Sequence, residues 1–493
     1  MSKKKNYNVP HIFVPDVEVG RKEFLRWLGF AGLSVTLPFA LSRKAEATCT
    51  PALGAATQFP FPLFISIHGG GGWDPTSFCD PKGDANNINR FSAGARIALA
   101  TSGNYGNAQQ TLLAPAWNGS TGANGINWIH QDNVNFITAN RQRIRIVNGI
   151  DTTTNNHDTG PIYVWSGKIS VGHPTIAALV AAARGSSAPL AFINNGGYNY
   201  TAGVVPGTQI NDINRIKEVA RPARQSPTIS SQTQTYFSDC THHRIREFQK
   251  ARVQGKLNNQ TLPRLQESLN ALNNARLSTA QLEHFVAEAE SIETRRDAGG
   301  QFATRYNGNS LFRQFMIARA AWRAGLCASV NTASGGFDTH SNHDASQRTA
   351  INRVLDGVRF MAEEASTQDG SLNNIFIAVG SDFGRTPRYN GGNGKDHWPI
   401  TSMMFLGGAI TAGGTVGGTT NDRWYADSNQ SPLSVSGGNR LTIKPQHVQN
   451  SLRRLLNIHN TNITVRGTTR SVDAMFPLIN GSADHIPIFA NGV

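Results

Sequence analysis

FISIHGGGGWDP, from Phe64 to Pro75, joins an apolar run typical of a buried strand to four glycines and an aspartate. The glycines allow three interpretations. The bare backbone could approach a ligand, the chain could turn sharply to present the carboxylate, or the loop could be flexible and without chemistry. Which of them applies depends on what the other strands and loops of the chain supply.

Apolar strand patterns and helical patterns alternate along the chain. Strand-like runs include residues 61–67 and 143–148, as well as APLAFINNGG, CASVNTAS, NNIFIAVG and SMMFLGGAI, and the helical segments include 173–184 and 311–324. This alternation predicts an α/β fold with a mostly parallel sheet covered by helices, within a domain at 48–493. Leucines at helical spacing predict helical hairpins inserted at about 240–295, which could form a cap over a site or a structural buttress.

The first 47 residues have the order of an export signal. GRKEFLRWLGFAGLSVTLPFALSRKAEA runs from a basic pair through a short apolar stretch to a small-x-small cleavage site. RKEFL, which begins at Arg21, resembles the twin-arginine (Tat) motif with lysine in place of the second arginine. The alternative is an amphipathic helix that stays attached. Export over 1–47 predicts a periplasmic or extracellular protein, the Tat machinery as a partner, and no transmembrane segment after cleavage.

Composition narrows the class of partner. The formal net charge is +14, which favours anionic partners, but no dense basic tract is interleaved with aromatic residues, so we expect no nucleic-acid binding. The four cysteines form no CxxC pair, which makes a cysteine-based zinc site improbable.

Carboxylates and imidazoles cluster in loops that are predicted to follow strands. If the sheet is parallel, these loops share one edge, where ligands collect. The groups would repel one another without a cation among them, and zinc or manganese accepts imidazole nitrogen as well as carboxylate oxygen. We therefore expect a divalent metal, with zinc, manganese and calcium as candidates. The residues concerned are Asp74, Asp338, His340, Asp382, Asp396 and His397.

Two basic residues flank the carboxylate loops. Arg385 and Lys395 could bind an anionic substrate oxygen, or they could simply balance the charge of the aspartates. The HGGGG run is also found in esterases, but the chain has no Gly-x-Ser-x-Gly elbow and no Gly-Lys-Ser/Thr phosphate loop. We therefore expect the glycines to turn the chain and leave room for Asp74 to reach a metal.

Four motifs, HGGGGWD, NNHDTGPIYVWSGK, GFDTHSNH and SDFGRTPRYNGGNGKDHWP, together resemble the DUF1501 family. That family consists of exported proteins of uncharacterised function and is similar to the alkaline phosphatase and sulfatase superfamily. The resemblance implies an alkaline-phosphatase-like sheet with helices on both faces and a metal-centred hydrolytic site. The metal ligands that it implies are Asp74, Asp338, His340, Asp382 and His397, with Asp396 beside them.

The nucleophile position departs from the pattern of the superfamily, which places Ser, Thr or Cys nine residues before a Thr-Gly pair. Ser166-Gly167 fits that ending, and the ninth residue before Ser166 is His157. His157 could be a phosphohistidine-type nucleophile, a further metal ligand, or the mark of a site without turnover, and Thr154 and Thr159 are nearby hydroxyls. We favour a ligand or general acid/base, because neutral imidazole is a common metal ligand.

The resemblance implies an exported metal-dependent hydrolase of phosphate or sulfate esters, with an anionic small-molecule or polymer ester as substrate. In that mechanism metal polarises the ester oxygen, metal-bound water or His157 attacks, and Arg385 steadies the developing charge. The alternative from another class is a non-catalytic metal-containing protein for binding or surface assembly.

Overall fold

The computed structural model describes residues 57–80, 88–90, 95–96, 115–116, 129–186, 188–262, 265–266, 268–270, 279–298, 309–370, 372–419, 442–480 and 485–489. All of them belong to the unit Ala52–Val493. The predicted export signal at 1–47 lies outside the described residues. No helix in the described ranges is both long enough and apolar enough to cross a membrane.

The strands of the described region begin with a fully buried one, β1. They are β1 (Leu63–Gly69), β2 (Ala95–Arg96), β3 (Pro115–Ala116), β4 (Ile144–Asp151), β5 (Phe192–Asn194), β6 (Gly207–Thr208), β7 (Ser329–Ser334), β8 (Ile375–Ser381), β9 (Gly384–Arg385), β10 (His397–Trp398), β11 (Ile400–Gly407), β12 (Gly414–Val416), β13 (Asn462–Val465) and β14 (Thr468–Ser471). Eight of them form one sheet in the order β12-β4-β11-β8-β1-β7-β5-β6.

All but one of these eight strands run in the same direction. β1 pairs in parallel with β7 and β8, whereas β11 is antiparallel to both β4 and β8. All seven residues of β1 and of β8 are buried, as expected for central strands covered on both faces. The predicted α/β class with a mostly parallel central sheet is therefore confirmed.

Helices cover both faces of this sheet. They are α1 (Gln131–Ala139), α2 (Thr159–Ser166), α3 (Ile176–Gly185), α4 (Ile213–Ala220), α5 (Asp239–Asn258), α6 (Thr279–Ala298), α7 (Ser310–Arg323), α8 (His343–Asp369), α9 (Pro445–Leu455) and α10 (Val472–Met475). Alternate residues of β1 point to different cores. Ile65 packs in the core that contains α7 and α8, and Phe64 packs in the core that contains α3 and α9.

Two described helices, α5 and α6, fall within the predicted insertion at about 240–295. α6 packs against α4 and α7. Arg221, just after α4, lies 3.2 Å from Glu283 and 3.2 Å from Glu290 on α6 through its Nε and Nη1 atoms. These contacts favour the buttress interpretation for α6.

The reversed strand β11 explains how the last predicted site residues reach the edge of the sheet. Gly69 at the end of β1 is in register with the last residues of β7 and β8. Ile400, the first residue of β11, is paired with Asp151, the last residue of β4. Asp396 and His397 were expected to follow a strand of the central sheet, but they precede β11 instead. Because β11 runs in the opposite direction, its start brings them to the same edge.

Candidate metal centre

The glycine run lets the backbone pass between two loops of the site. Gly71 has φ +115°, and a Cβ added to it would lie 2.3 Å from the backbone nitrogen of Asp338. Its N–H donates to Asp382 Oδ2 at 3.1 Å. Its carbonyl accepts from Arg385 Nη2, and the carbonyl of Gly72 accepts from Arg385 Nε at 2.9 Å. The glycines therefore let the backbone approach other parts of the protein itself, which none of the three interpretations specified.

Asp74 lies buried in a separate polar network. Its Oδ1 accepts from Thr76 N at 2.9 Å, and its Oδ2 lies 2.9 Å from His343 Nε2 and 2.8 Å from Lys395 Nζ. Burial would raise the pKa of Asp74, but the charge of Lys395 and the bond from His343 outweigh it, so the pKa lies well below its usual value. Both carboxylate oxygens are therefore occupied by donors from the protein.

This geometry conflicts with two predicted roles. Asp74 was expected to reach a metal, but the hydrogen bonds of its carboxylate within the described region run to Thr76, Ser77, His343 and Lys395. Lys395 was expected to bind substrate, but its side chain is 0% exposed and its ammonium is held by Asp74. The two residues form a buried ion pair, which matches the charge-balance alternative for Lys395.

Three imidazoles and one carboxylate converge at the carboxyl edge of the sheet. His397 Nε2 lies 2.9 Å from His340 Nε2 and 3.2 Å from His157 Nε2. Asp338 Oδ1 lies 3.1 Å from His340 Nε2 and 3.3 Å from His397 Nε2. The ligand atoms of His157, Asp338 and His397 all lie within 4.8 Å of one another. We call these four residues the His/Asp cluster.

The Nδ1 atom of each imidazole, on the side away from the centre of the cluster, is hydrogen-bonded to an oxygen acceptor. Because an oxygen acceptor keeps the proton on Nδ1, each Nε2 presents a lone pair to the centre of the cluster. Metal-binding histidines are oriented in this way. The pairs are His157 with Asp382 Oδ2 at 2.5 Å, His340 with Asp396 Oδ1 at 2.7 Å, and His397 with the carbonyl of Asn155 at 2.9 Å.

The donor set and the local charge fit a divalent metal ion. Lone pairs that face one another at about 3 Å repel unless a cation lies between them. Burial and the charge of Arg385 lower the pKa of His397, which keeps its imidazole neutral. The carboxylates Asp338, Asp382 and Asp396 against the one guanidinium leave two negative charges, which a divalent ion would balance.

Arg385 contacts the cluster through Asp338 from a buried position. Its side chain is 0% exposed, and its Nη2 donates to Asp338 Oδ1 at 2.6 Å. Burial would raise the pKa of Asp338, but the hydrogen bond and charge of Arg385 outweigh it, so the pKa lies below its usual value. Arg385 therefore keeps Asp338 ionised and oriented. Its burial conflicts with the predicted contact between Arg385 and a substrate.

Asp382 and Asp396, both predicted as ligands, lie behind the histidines. Asp382 is buried against His157 Nδ1, and Asp396 is half exposed against His340 Nδ1. Burial would raise the pKa of Asp382, but its contacts with His68 and His157 outweigh the burial, so the pKa is lowered. Both carboxylates orient ligands rather than meeting at the centre of the cluster.

The sequence analysis did not identify two contributors to the site. His68 lies 2.8 Å from Asp382 Oδ1 and is the last polar residue of β1 before the glycine run, a position that resembles those of the other candidates. Asn155 contributes only its backbone carbonyl, which no residue pattern could have revealed.

We expect Asp382→Asn to weaken metal binding about 10–100-fold, because outer partners of ligating histidines have effects of that size. Asp396→Asn should have a smaller effect, because Asp396 is about half exposed and its hydrogen bond competes with water. The dissociation constant of zinc, measured by competition with a chelating dye, checks both. Equal affinities of the two variants would contradict the assignment.

The chain matches the model of the DUF1501 family, described as a protein of unknown function, over residues 63–436. A comparison with curated proteins finds no match. Among solved structures, the chain is similar to the alkaline phosphatase from the Antarctic bacterium TAB5, with 12% identity and a TM-score of 0.28, covering 71% of this chain and 92% of that one. It is also similar to a variant of that phosphatase with magnesium in its M3 site, with 9% identity and a TM-score of 0.30, covering 81% of this chain and 99% of that one. A third similar structure is that of a 2-O GAG sulfatase, with 8% identity and a TM-score of 0.26, covering 84% of this chain and 74% of that one. Likeness at this level carries no argument about activity.

Proposed function

Because the chain belongs to the DUF1501 family, whose function is unknown, we propose from the geometry of its own site that it is a metal-dependent hydrolase of phosphate or sulfate esters. The observation that carries the proposal is the convergence of three Nε2 atoms and Asp338 Oδ1, each imidazole being held on its Nδ1 by an oxygen.

The residues that would hold the metal are His157, Asp338 and His397, with His340 beside them. We propose zinc, because a set rich in imidazole suits zinc, whereas calcium takes six to eight oxygen ligands. When bound, such an ion supplies a Lewis acid for an ester oxygen and lowers the pKa of water.

Exposure of the cluster supports an enzyme over a protein that keeps metal for stability. The side chains of His157, Asp338, His340 and His397 are 39%, 49%, 48% and 25% exposed. Structural zinc sites are closed by four protein ligands, whereas catalytic sites keep a position open to solvent. A ligand set that is a quarter to a half exposed leaves room for a substrate.

The nucleophile that we propose is water. The hydrogen bonds and ion pairs of the cluster run to carboxylates, to Arg385, to a backbone carbonyl and between its own members. His157 directly precedes Asp158, the N-cap residue of α2, but both of its nitrogens are engaged. Its role is therefore that of a ligand, and Asp382 holds its ring.

Esters of phosphate or sulfate are the substrate class on two grounds. The four motifs resemble the DUF1501 family, which is similar to the alkaline phosphatase and sulfatase superfamily, and the basic chain attracts anions at modest salt. Arg385 and Lys395 are buried, so recognition of the anion would depend on the metal and on groups at the rim of the site.

Metal content and hydrolysis test the proposal together. The purified chain is expected to contain close to one equivalent of zinc by elemental analysis and to hydrolyse p-nitrophenyl phosphate or sulfate. Chelation should abolish turnover, and added zinc should restore it. Absence of bound metal, even after addition of zinc or manganese, would sink the proposal. Bound zinc without turnover of any ester would favour the non-catalytic alternative.

Export belongs to the same proposal. We propose that residues 1–47 direct the chain out of the cytoplasm through the Tat machinery, to the periplasm or beyond. The support is the order of basic, apolar and small-x-small segments, with RKEFL at the Tat position.

A further inference from the structure

Two motif residues that the cluster does not use contact each other. His68 opens the HGGGG run, and Trp165 lies in the YVWSGK segment. Trp165 Nε1 donates to His68 Nδ1 at 3.0 Å. An indole N–H can only donate, so His68 Nδ1 is an acceptor and its proton lies on Nε2.

The Nε2 atom of His68 lies against the carboxylate behind the cluster. His68 Nε2 lies 2.8 Å from Asp382 Oδ1, and the other oxygen, Oδ2, lies 2.5 Å from His157 Nδ1. Trp165, His68 and Asp382 are 2%, 8% and 3% exposed, so little water competes for these contacts. The four side chains form a continuous series of polar contacts that ends at a predicted ligand: hydrogen bonds join Trp165 to His68 and Asp382 to His157, and an ion-pair distance of 2.8 Å joins His68 to Asp382.

Close packing fixes this series of contacts in place. A Cβ added to Gly197 would lie 2.9 Å from His68 Cβ, and one added to Gly380 would lie 3.3 Å from Trp165 Cζ2. Gly71 N–H, at 3.1 Å from Asp382 Oδ2, prevents that oxygen from turning freely. The neighbouring backbone therefore packs closely against both side chains.

We propose that His68 and Trp165 are positioning residues of the metal centre. Trp165 sets the tautomer of His68, His68 orients Asp382, and Asp382 directs His157 Nε2 into the cluster. Without the His68 nitrogen beside Oδ1, the buried carboxylate would lose a polar neighbour that holds it, and His157 would lose its fixed orientation. This inference rests on the proposed function, because it requires a metal at the cluster.

The affinity for zinc, measured on the full chain with a competing chelating dye, tests the inference. We expect His68→Leu to weaken binding about 10-fold and Trp165→Phe to weaken it less, since it lies one contact further away. His68→Gln should retain most of the affinity, because its amide nitrogen can still donate to Asp382. The matched control is Trp322→Phe. Trp322 is also buried, but its Nε1 donates to the carbonyl of Phe61 at 2.7 Å, so the control should bind zinc as the wild type does.

The outcomes separate the two proposals. If Trp165→Phe and His68→Leu bind zinc as tightly as Trp322→Phe, the positioning role is wrong and the proposed function stands. If the wild type binds no zinc, both are wrong. Thermal unfolding in excess chelator measures the structural cost of each change without metal. If His68→Leu does not fold, the comparison of zinc affinity between Trp165→Phe and Trp322→Phe tests the positioning role.

Discussion

Replacing His397 with alanine is expected to remove stoichiometric zinc and to reduce ester hydrolysis by roughly a thousandfold or more. His397 Nε2 is the central atom of the cluster, within 3.3 Å of His157 Nε2, Asp338 Oδ1 and His340 Nε2. Loss of a partner behind a ligand costs about 10–100-fold, and loss of the ligand itself should cost more. The lowered pKa of His397 means that a bound metal displaces no proton from it at neutral pH.

Elemental analysis and hydrolysis rates check this result on the same preparation. The control is His243→Ala, because His243 is exposed on α5 and belongs to no cluster contact among the described residues. That variant should keep the zinc content and rate of the wild type. Full zinc content and an unchanged zinc affinity in His397→Ala would show that the metal lies elsewhere.

The second large effect is on stability. Lys395→Ala is expected to lower the free energy of unfolding by about 3–5 kcal/mol, because it leaves Asp74 charged, buried and without its ammonium partner. Lys395 Nζ also donates to Asn89 Oδ1 at 2.8 Å, so that oxygen loses one of its two donors. Urea unfolding in excess chelator measures the change without any contribution from metal.

A double variant distinguishes the charge from the packing. Asp74→Asn with Lys395→Met removes both charges, and its stability should recover much of the loss, as buried pairs replaced by neutral groups do. A loss below about 1 kcal/mol in Lys395→Ala would contradict the buried pair, since that is the range of exposed pairs.

The pair also has a defined pH dependence. The pKa of Asp74 is depressed in the fold, so its stabilising contribution is fully present above the unfolded value of about 3.8 and is lost as the pH falls toward the folded value. The difference in stability between the wild type and Asp74→Asn should therefore be constant from neutral pH down to about 5 and should shrink below about 3.8.

The sequence was most informative where one physical rule decides the outcome. The mostly apolar run of β1 predicts a buried strand, and Asp338 with His340 shortly after β7 predicts polar groups at its carboxyl edge. Both predictions agree with the structure. These loops share an edge because parallel strands that alternate with helices end at the same edge of the sheet.

The burial of each carboxylate and the residue that it pairs with could not be predicted in the same way. Asp74 and Asp338 both follow strands, yet one is fully buried with Lys395 and the other lies half exposed in the cluster. A carboxylate after a strand gives the same pattern in either case, because the pattern fixes the edge but not the distance from solvent. The reversal of β11 was missed for a similar reason, since an apolar run has no direction.

The origin of the cluster in distant parts of the chain has a consequence for biosynthesis. His157 follows β4, Asp338 follows β7, and His397 precedes β11, so the three ligands meet only after these strands have paired. Such distant contacts form late, because the entropy of closing long loops has to be overcome first. A nascent or partly folded chain therefore offers no assembled metal site. On the proposed function, binding of the ion would therefore follow formation of the sheet.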